Sequence, residues 1–291
     1  VSRFYSDGLD ISQLPAPNVV EALSYEAILA EMLEDLEARF AAANIPFDTA
    51  HLETEPVAII IQAFAYREFL IRGRVNDGAR AIMLAFAAGS DLDQIGANKG
   101  VARLEGESDK DFRRRIQLSP EGYTTAGSEG SYIFHASSAD PDVKGIQAVS
   151  PEPGRVTVYV LSREGSGDAS PELIDAVEAA LNPDEIRPLT DFVTVVSADV
   201  TTYAIEAELV MFPGPDADVI RQAAEDAVRA YAADVHQLGH DVAISGLHQA
   251  LHRPGVQRVN LTLPAANLVA GEGEAYFASG ITVTVAAETD V

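Results

Sequence analysis

The sequence predicts an α+β protein: a region of long helices at the front, followed by two small α/β units. Two observations carry this. In the first half, apolar residues recur at helical spacing. From Val143 onward the pattern changes to period two, in short runs separated by further helical stretches. The predicted divisions are an extended arm over 1–19, a helical, bundle-forming region over 20–140, and α/β units of β-β-α-β type over 141–199 and 200–291.

Ser24 can cap a helix running to about Ala43, with Tyr25, Ile28, Leu29, Met32, Leu33, Leu36 and Phe40 as its apolar stripe. Thr54 to Ala88 reads as one much longer helix with Pro56 in its first turn. Val57, Ile60, Ile61, Phe64, Ile71, Val75, Ala79, Ile82 and Phe86 form a stripe along it, and Gly73 and Gly78 are where it would bend. At about 1.5 Å per residue the helix would reach roughly 50 Å, more than the first helix can cover. Ile60, Ile61 and Phe64 are therefore expected to meet a partner chain. Gly89 suits a helix exit, and Ser90 with Asp93 resembles a capping box for a short helix ending near Gly100. Ser108 with Asp111 repeats the arrangement, and another helix is expected over about 128–138.

Strands are predicted at 143–150, 155–162 and 191–198, with a helix opening at Ser170-Pro171 between the last two. The second unit reads as strand 201–212, helix 216–233, helix 244–252, strand 256–263 and strand 280–286. Its segment 264–279 reads as a Gly- and Ala-rich loop.

Composition excludes several classes of function. With no cysteine in 291 residues, disulfides, thiolate metal sites and cysteine nucleophiles are ruled out. A net charge of −25 opposes binding to nucleic acid or anionic lipid. No apolar run is long enough to span a membrane, and the first residues lack the apolar core of a signal peptide. The charge is unevenly spread: ten of the twenty bases lie in residues 67–115, beside eight acids. Such segregation favours association of oppositely charged surfaces.

None of the phosphate-loop, dinucleotide, nucleophile-elbow or zinc-protease motifs is present. Asp91-x-Asp93 begins like a calcium loop but lacks the later ligands. His236 with His240, and His248 with His252, have i,i+4 spacing that could chelate zinc on a continuous helix. Gly239 interrupts the first pair, and Leu247 and Leu251 mark a buried face beside the second. A structural role fits these histidines better. A metal-dependent or carboxylate-based enzyme using His236–His252 is the alternative.

The run "DFRRRIQL" needs its own account. Neighbouring helical residues point about 100° apart, so three arginines cannot share one pocket. Asp109 precedes Arg113 and Asp111 precedes Arg115, both in the favourable acid-first order at i,i+4. Arg115, beside Ile116 and three residues after Phe112, should pack its stem inward and meet a carboxylate or carbonyls of the α/β region. Arg113 and Arg115 would then fasten the helical region to that region, leaving Arg114 in solvent.

The stretch "GSDLDQIGANKGVARLEGESDKDFRRRIQL" resembles the signature of baseplate J-like proteins from contractile-tailed phages. Leu92 and Asp93 match its LD helix, and Gly100 and Arg103 its G-x-x-R turn. Glu107, Ser108 and Asp109 match the following cap, and Phe112, Arg113, Arg115 and Ile116 the helix after it. The resemblance continues through "IQAVSPEPGRVTVYVLS", "IRPLTDFVTVVSA" and "HQLGHDVAISGLHQALHRPGVQRVNL", so it covers nearly the whole chain.

The resemblance implies a non-enzymatic subunit of a tail baseplate wedge, without cofactor or metal. Its implied partners are a second copy of itself, other wedge subunits and neighbouring wedges in a sixfold ring around the central hub. The long helices would bundle with a partner subunit, and the α/β region would mediate contacts between copies. The implied location is the virion tail baseplate, assembled in the host cytoplasm.

Overall fold

The structure is a computed structural model; it describes residues 11, 14–15, 17–46, 56–124, 127–213 and 216–286. The expected arm over 1–19 and the helix start at Thr54 lie largely outside these. The chain divides into two compact units. One covers Leu9–Ala102, and the chain from Arg103 onward belongs to the other.

The first unit is helical. α1 (Tyr25–Ala42) starts where Ser24 Oγ accepts from Ala27 N at 3.2 Å. α2 (Pro56–Ala81) packs against α1, but through small residues: Ala58 and Ala65 are fully buried. Asn76 adds a two-point clamp, accepting from Glu21 N at 3.0 Å and donating to Glu21 O at 2.9 Å. α2 runs unbroken through Gly73 and Gly78, so the expected bend is absent, and it ends seven residues before the expected Ala88. Turns over 82–86 follow, in which Met83 O accepts from both Phe86 N and Ala87 N. At about 1.5 Å per residue, 26 residues span about 39 Å rather than 50.

α3 (Gly89–Asn98) begins earlier than the Ser90–Asp93 box implies. Ala88 is its N-cap and supplies no side-chain bond, so Ser90 is already inside the helix. Its C-terminus is a Schellman turn, in which Gly100 N donates to Ala97 O and Val101 N to Gly96 O. Gly100 takes φ +70°, a left-handed conformation that costs a residue with Cβ about 1–2 kcal/mol.

The second unit holds α4 (Asp109–Leu118), a 3-10 helix (Ser119–Tyr123), α5 (Glu129–Ser137) and two three-stranded sheets. In the first sheet β1 (Val143–Glu152) runs antiparallel to β2 (Arg155–Ser162). After the capped helix α6 (Pro171–Leu181), β3 (Phe192–Ser197) joins β2 in parallel. This is the expected β-β-α-β unit. Val156, Val158 and Val160 of β2 face Tyr132 and Ile133 of α5 and Leu173, Val177 and Leu181 of α6. By contact, α5 therefore belongs with the sheet rather than with the front helices.

In the second sheet β4 (Asp199–Met211) is central. It pairs antiparallel with β5 (Val256–Leu263) and parallel with β6 (Glu274–Val285). Tyr203, Ile205, Ala207 and Leu209 alternate inward beneath α7 (Ala217–Val235) and α8 (Ile244–Leu251), while Glu206 and Glu208 face out. β6 starts six residues before the expected strand, so the last six residues of the presumed loop 264–279 are ladder. The two sheets meet at a small buried cluster of Leu161, Ala198, Leu238 and Ala275. Beside it Gln147 Oε1 accepts from Gly273 N at 2.8 Å, and Asp199 N donates to Gly273 O at 2.9 Å.

Candidate functional site: an apolar helix face and an arginine clasp

Two features stand out, one in each unit. The first is the face of α2 turned away from α1. Ile60 is 54% exposed and Phe64 61%, and Ile59, Tyr66, Leu70, Ile71 and Val75 are exposed as well; Ile61 is half-buried. The alanines went to the α1 contact and the large residues were left outside. Scattered apolar residues on a surface need no explanation, but a run of this length on one helix is uncommon on a surface that faces only water.

The second feature is the clasp around α4. Ser108 caps α4, its Oγ accepting from Asp111 N and donating to Asp111 Oδ2 at 2.6 Å. The segment before it doubles back: Glu107 N donates to Leu104 O, Leu104 N donates to Glu107 Oε2 at 3.0 Å, and Gly106 takes φ +74°. That turn delivers the Glu107 carboxylate beneath α4. Arg115 meets it from the helix, Nε to Oε1 at 2.6 Å and Nη2 to Oε2 at 2.7 Å. Both side chains are buried, at 7% and 5% exposure. Arg115 Nη1 also donates to Ser138 Oγ at 3.1 Å, just past α5.

Arg103 closes the clasp from the other side. Its Nη1 donates to Glu107 O at 3.1 Å and its Nη2 lies 2.7 Å from Asp109 Oδ1. Its guanidinium stacks 4.6 Å from the Phe112 ring centroid, with that of Arg115 5.6 Å away. Phe112 and Ile116 are buried beneath α4.

The partners of Arg115 and Asp111 differ from the pairing expected at i,i+4. Arg115 takes Glu107, eight residues back, and Asp111 instead pairs at 3.2 Å with Arg163, just past the end of β2. Asp111–Arg163 thus joins α4 to the first sheet. The helical rule failed because the loop return offers Arg115 a buried two-oxygen acceptor, stronger than an exposed pair along the helix. Arg113 is half-buried on α4, and Arg114, expected in solvent, is half-buried beside a cleft with Lys144. In the first unit Leu92 of α3 is fully buried and Asp93 half-buried.

The histidines do not converge. α7 ends at Val235, with His236 as its C-cap and Gly239 at φ +70° in the turn that follows. His236 is buried against Phe277, its Nδ1 2.6 Å from Lys144 Nζ. His248 lies at the edge of α8 and His252 is its exposed C-cap. Among the described residues no three His, Cys, Asp or Glu side chains form a metal-ligand group. Nor, among them, is any helix long and apolar enough to cross a membrane. Sequence reasoning missed Asn76, Ser138, Lys144 and Gln147. Each acts on a residue at least 23 positions away, with no local pattern to announce it.

Comparison with known proteins finds matches along most of the chain. Three family models match in chain order: the baseplate J-like N-terminal domain over 53–108, the central domain over 124–197 and the C-terminal domain over 203–284. The first takes in α2, α3 and the turn carrying Glu107, the second α5 and the first sheet, the third the second sheet and its helices. A curated relative, baseplate protein J of Escherichia phage P2, is 44% identical over 286 residues, covering 92% of this chain and 95% of its own length. On matches of that extent, the chain belongs to the baseplate J-like family.

Proposed function

We propose that this protein is a structural, non-enzymatic subunit of a phage tail baseplate, and that it works as part of a wedge. In this reading it associates with a second copy and with other wedge subunits, and the wedges close into a sixfold ring around the hub. A contractile tail or related injection device is its setting, and assembly takes place in the host cytoplasm.

The observation that carries the proposal is the exposed stripe of α2. Ile60 and Phe64, with Ile61 at its edge, occupy a face that α1 leaves uncovered. Burying each such side chain is worth roughly 1.5–3 kcal/mol, which a partner helix would recover. The family match supports the setting, since the P2 relative is named as a baseplate protein. The enzyme alternative finds no supporting geometry at His236, His240, His248 and His252.

The test is co-expression with the neighbouring baseplate gene products. Phe64→Asp should abolish co-purification while the sheet region keeps its unfolding transition. Normal co-purification of Phe64→Asp would remove this face from the assembly.

A further inference from the structure

Among the described residues the two sheets present four edge strands, β1, β3, β5 and β6. Three of them carry features that discourage pairing with another chain. β1 holds Lys144, Pro151 and Glu152, and its register shifts twice. β5 holds Arg258 and a register shift against β4. β6 holds Glu274 and a shift of its own. β3 has none of these. Its six residues include no charge and no proline, and its parallel ladder with β2 is regular.

The ladder fixes which backbone groups are free. Phe192 N donates to Gly154 O, and Ala198 N to Val160 O. In a parallel pair alternate residues bond through both of their backbone groups, so Phe192, Thr194 and Val196 face β2. Val193 and Val195 point their N–H and C=O groups away from β2, where no described residue meets them. The side chains alternate as well. Val193 and Val195 pack into the core with Leu173 and Val177 of α6. Phe192, 72% exposed, stands on the opposite face with exposed Thr194 and half-buried Val196. Leu189, 91% exposed, precedes them.

We infer that the free edge of β3 pairs with β3 of a second copy, antiparallel and centred on Thr194. A row of open N–H and C=O groups is completed by another extended strand, and a two-fold contact completes both rows at once. The strand is neutral in a chain of net charge −25, so two copies can approach there with least repulsion. The register follows from the side chains. Centred on Thr194, the pairing sets Phe192 against the partner's Val196, an aromatic and β-branched pair that occurs twice. Centred on Val195, it would set Phe192 against the partner's Ala198 and leave the ring uncovered. In the first register Val193 and the partner's Val195 exchange hydrogen bonds. The inference rests on the reading of this chain as one that associates with a second copy, and names a surface that does so.

The experiment is sedimentation velocity on the full chain at about 100 μM, suited to a contact at the small end of the interface range. Wild type should form dimers. Thr194→Glu should weaken dimerisation about fivefold or more, because like charges meet across the two-fold. Thr282→Glu, equally exposed but on β6, should leave it unchanged. Mixing Thr194→Glu with Thr194→Lys should restore the dimer. The chain has no cysteine, so Thr194→Cys gives one thiol per copy. Oxidation should link two copies, since opposed Cα atoms in a non-hydrogen-bonded pair lie roughly 4.5 Å apart. Thr282→Cys should not link. Circular dichroism checks that each variant is folded. Dimers that survive Thr194→Glu, or no link through Thr194→Cys, overturn the edge. Dimers lost in Phe64→Asp but not in Thr194→Glu place the contact on α2, which overturns the edge and leaves the assembly reading standing. A monomeric wild type overturns the pairing of copies. If its Val193 and Val195 amides then gain protection beside another baseplate gene product, the edge belongs to a strand of that protein.

Discussion

Arg115 and Glu107 form a two-point ion pair that is almost wholly out of water, with contacts of 2.6 and 2.7 Å. Removing one member leaves the other charged and buried. Such a loss costs about 3–5 kcal/mol, whereas a surface pair costs well under 1. Arg115→Ala should therefore lower the midpoint of thermal unfolding by about 10 °C, at roughly 2–4 °C per kcal/mol for a unit of this size. Arg114→Ala should shift it by less than about 2 °C. Differential scanning calorimetry on the isolated chain decides. Equal small shifts for both would mean that the arginine run serves assembly and not the internal clasp.

Gly100 supplies a second, independent test. Its positive φ lets the chain leave α3 through a Schellman turn, and Val101 follows it into a buried position. Gly100→Ala should destabilise the helical unit by about 1–2 kcal/mol, read as faster amide exchange at Gly100 and Val101. Gly89 also has positive φ, so an Ala there is strained by its backbone alone, since nothing lies within 4 Å of a Cβ added there. An Ala at either position that leaves exchange unchanged would show that the helix end tolerates strain.

The histidines should bind no zinc usefully. His248 and His252 are neighbours on α8 but no third ligand joins them among the described residues. Two imidazoles alone fall short of the four-coordinate sites that structural zinc requires. Elemental analysis after dialysis should find much less than one equivalent. Near-stoichiometric zinc that disappears in a His248→Ala/His252→Ala double variant would restore the enzyme alternative.

The fold was legible where one signal dominated. Strands 155–162 and 256–263 fall as expected to the residue, because a clean alternation has only one register that buries its apolar face. β6 was obscured because its first half, Glu274–Gly280, mixes Gly, Ala and Ser with aromatics and shows no alternation. The helix over 54–88 was overextended because Ile82 and Phe86 continue the apolar spacing, although the chain turns there. At the clasp, Glu107 and Arg115 were both picked out but not as partners. Helix spacing sees four residues; the Leu104–Glu107 turn that brings them together is a loop conformation. Contacts such as Lys144–His236, 92 residues apart, have no sequence period at all.

That last contact gives the protein a titration of its own. Burial, then the charge of Lys144, pushes His236 down from 6.5 to about 4, the backbone of Ser166 pulling weakly the other way. With Nδ1 accepting from Lys144, the ring's one proton sits on the buried Nε2, and a second proton would have to enter at Nδ1, against the Lys144 ammonium. Between pH 4 and 6.5 the unfolded chain thus binds the proton more readily than the folded one, and stability falls as pH falls through that window. Lys144, lowered to about 8, acts in the same sense higher up, adding stability as pH rises from 8 toward 10.5. From pH 7 to about pH 5 the histidine should cost on the order of 1–2 kcal/mol, or about 2–8 °C in unfolding midpoint. Carboxylates elsewhere add their own pH dependence, so the informative quantity is the difference between wild type and His236→Gln. The wild type should lose more between those two pH values. Lys144→Met removes the second cause of the depression but not the burial, so it should lose an intermediate amount. Identical losses in all three proteins would show that the joint between the sheets is insensitive to the charge on His236.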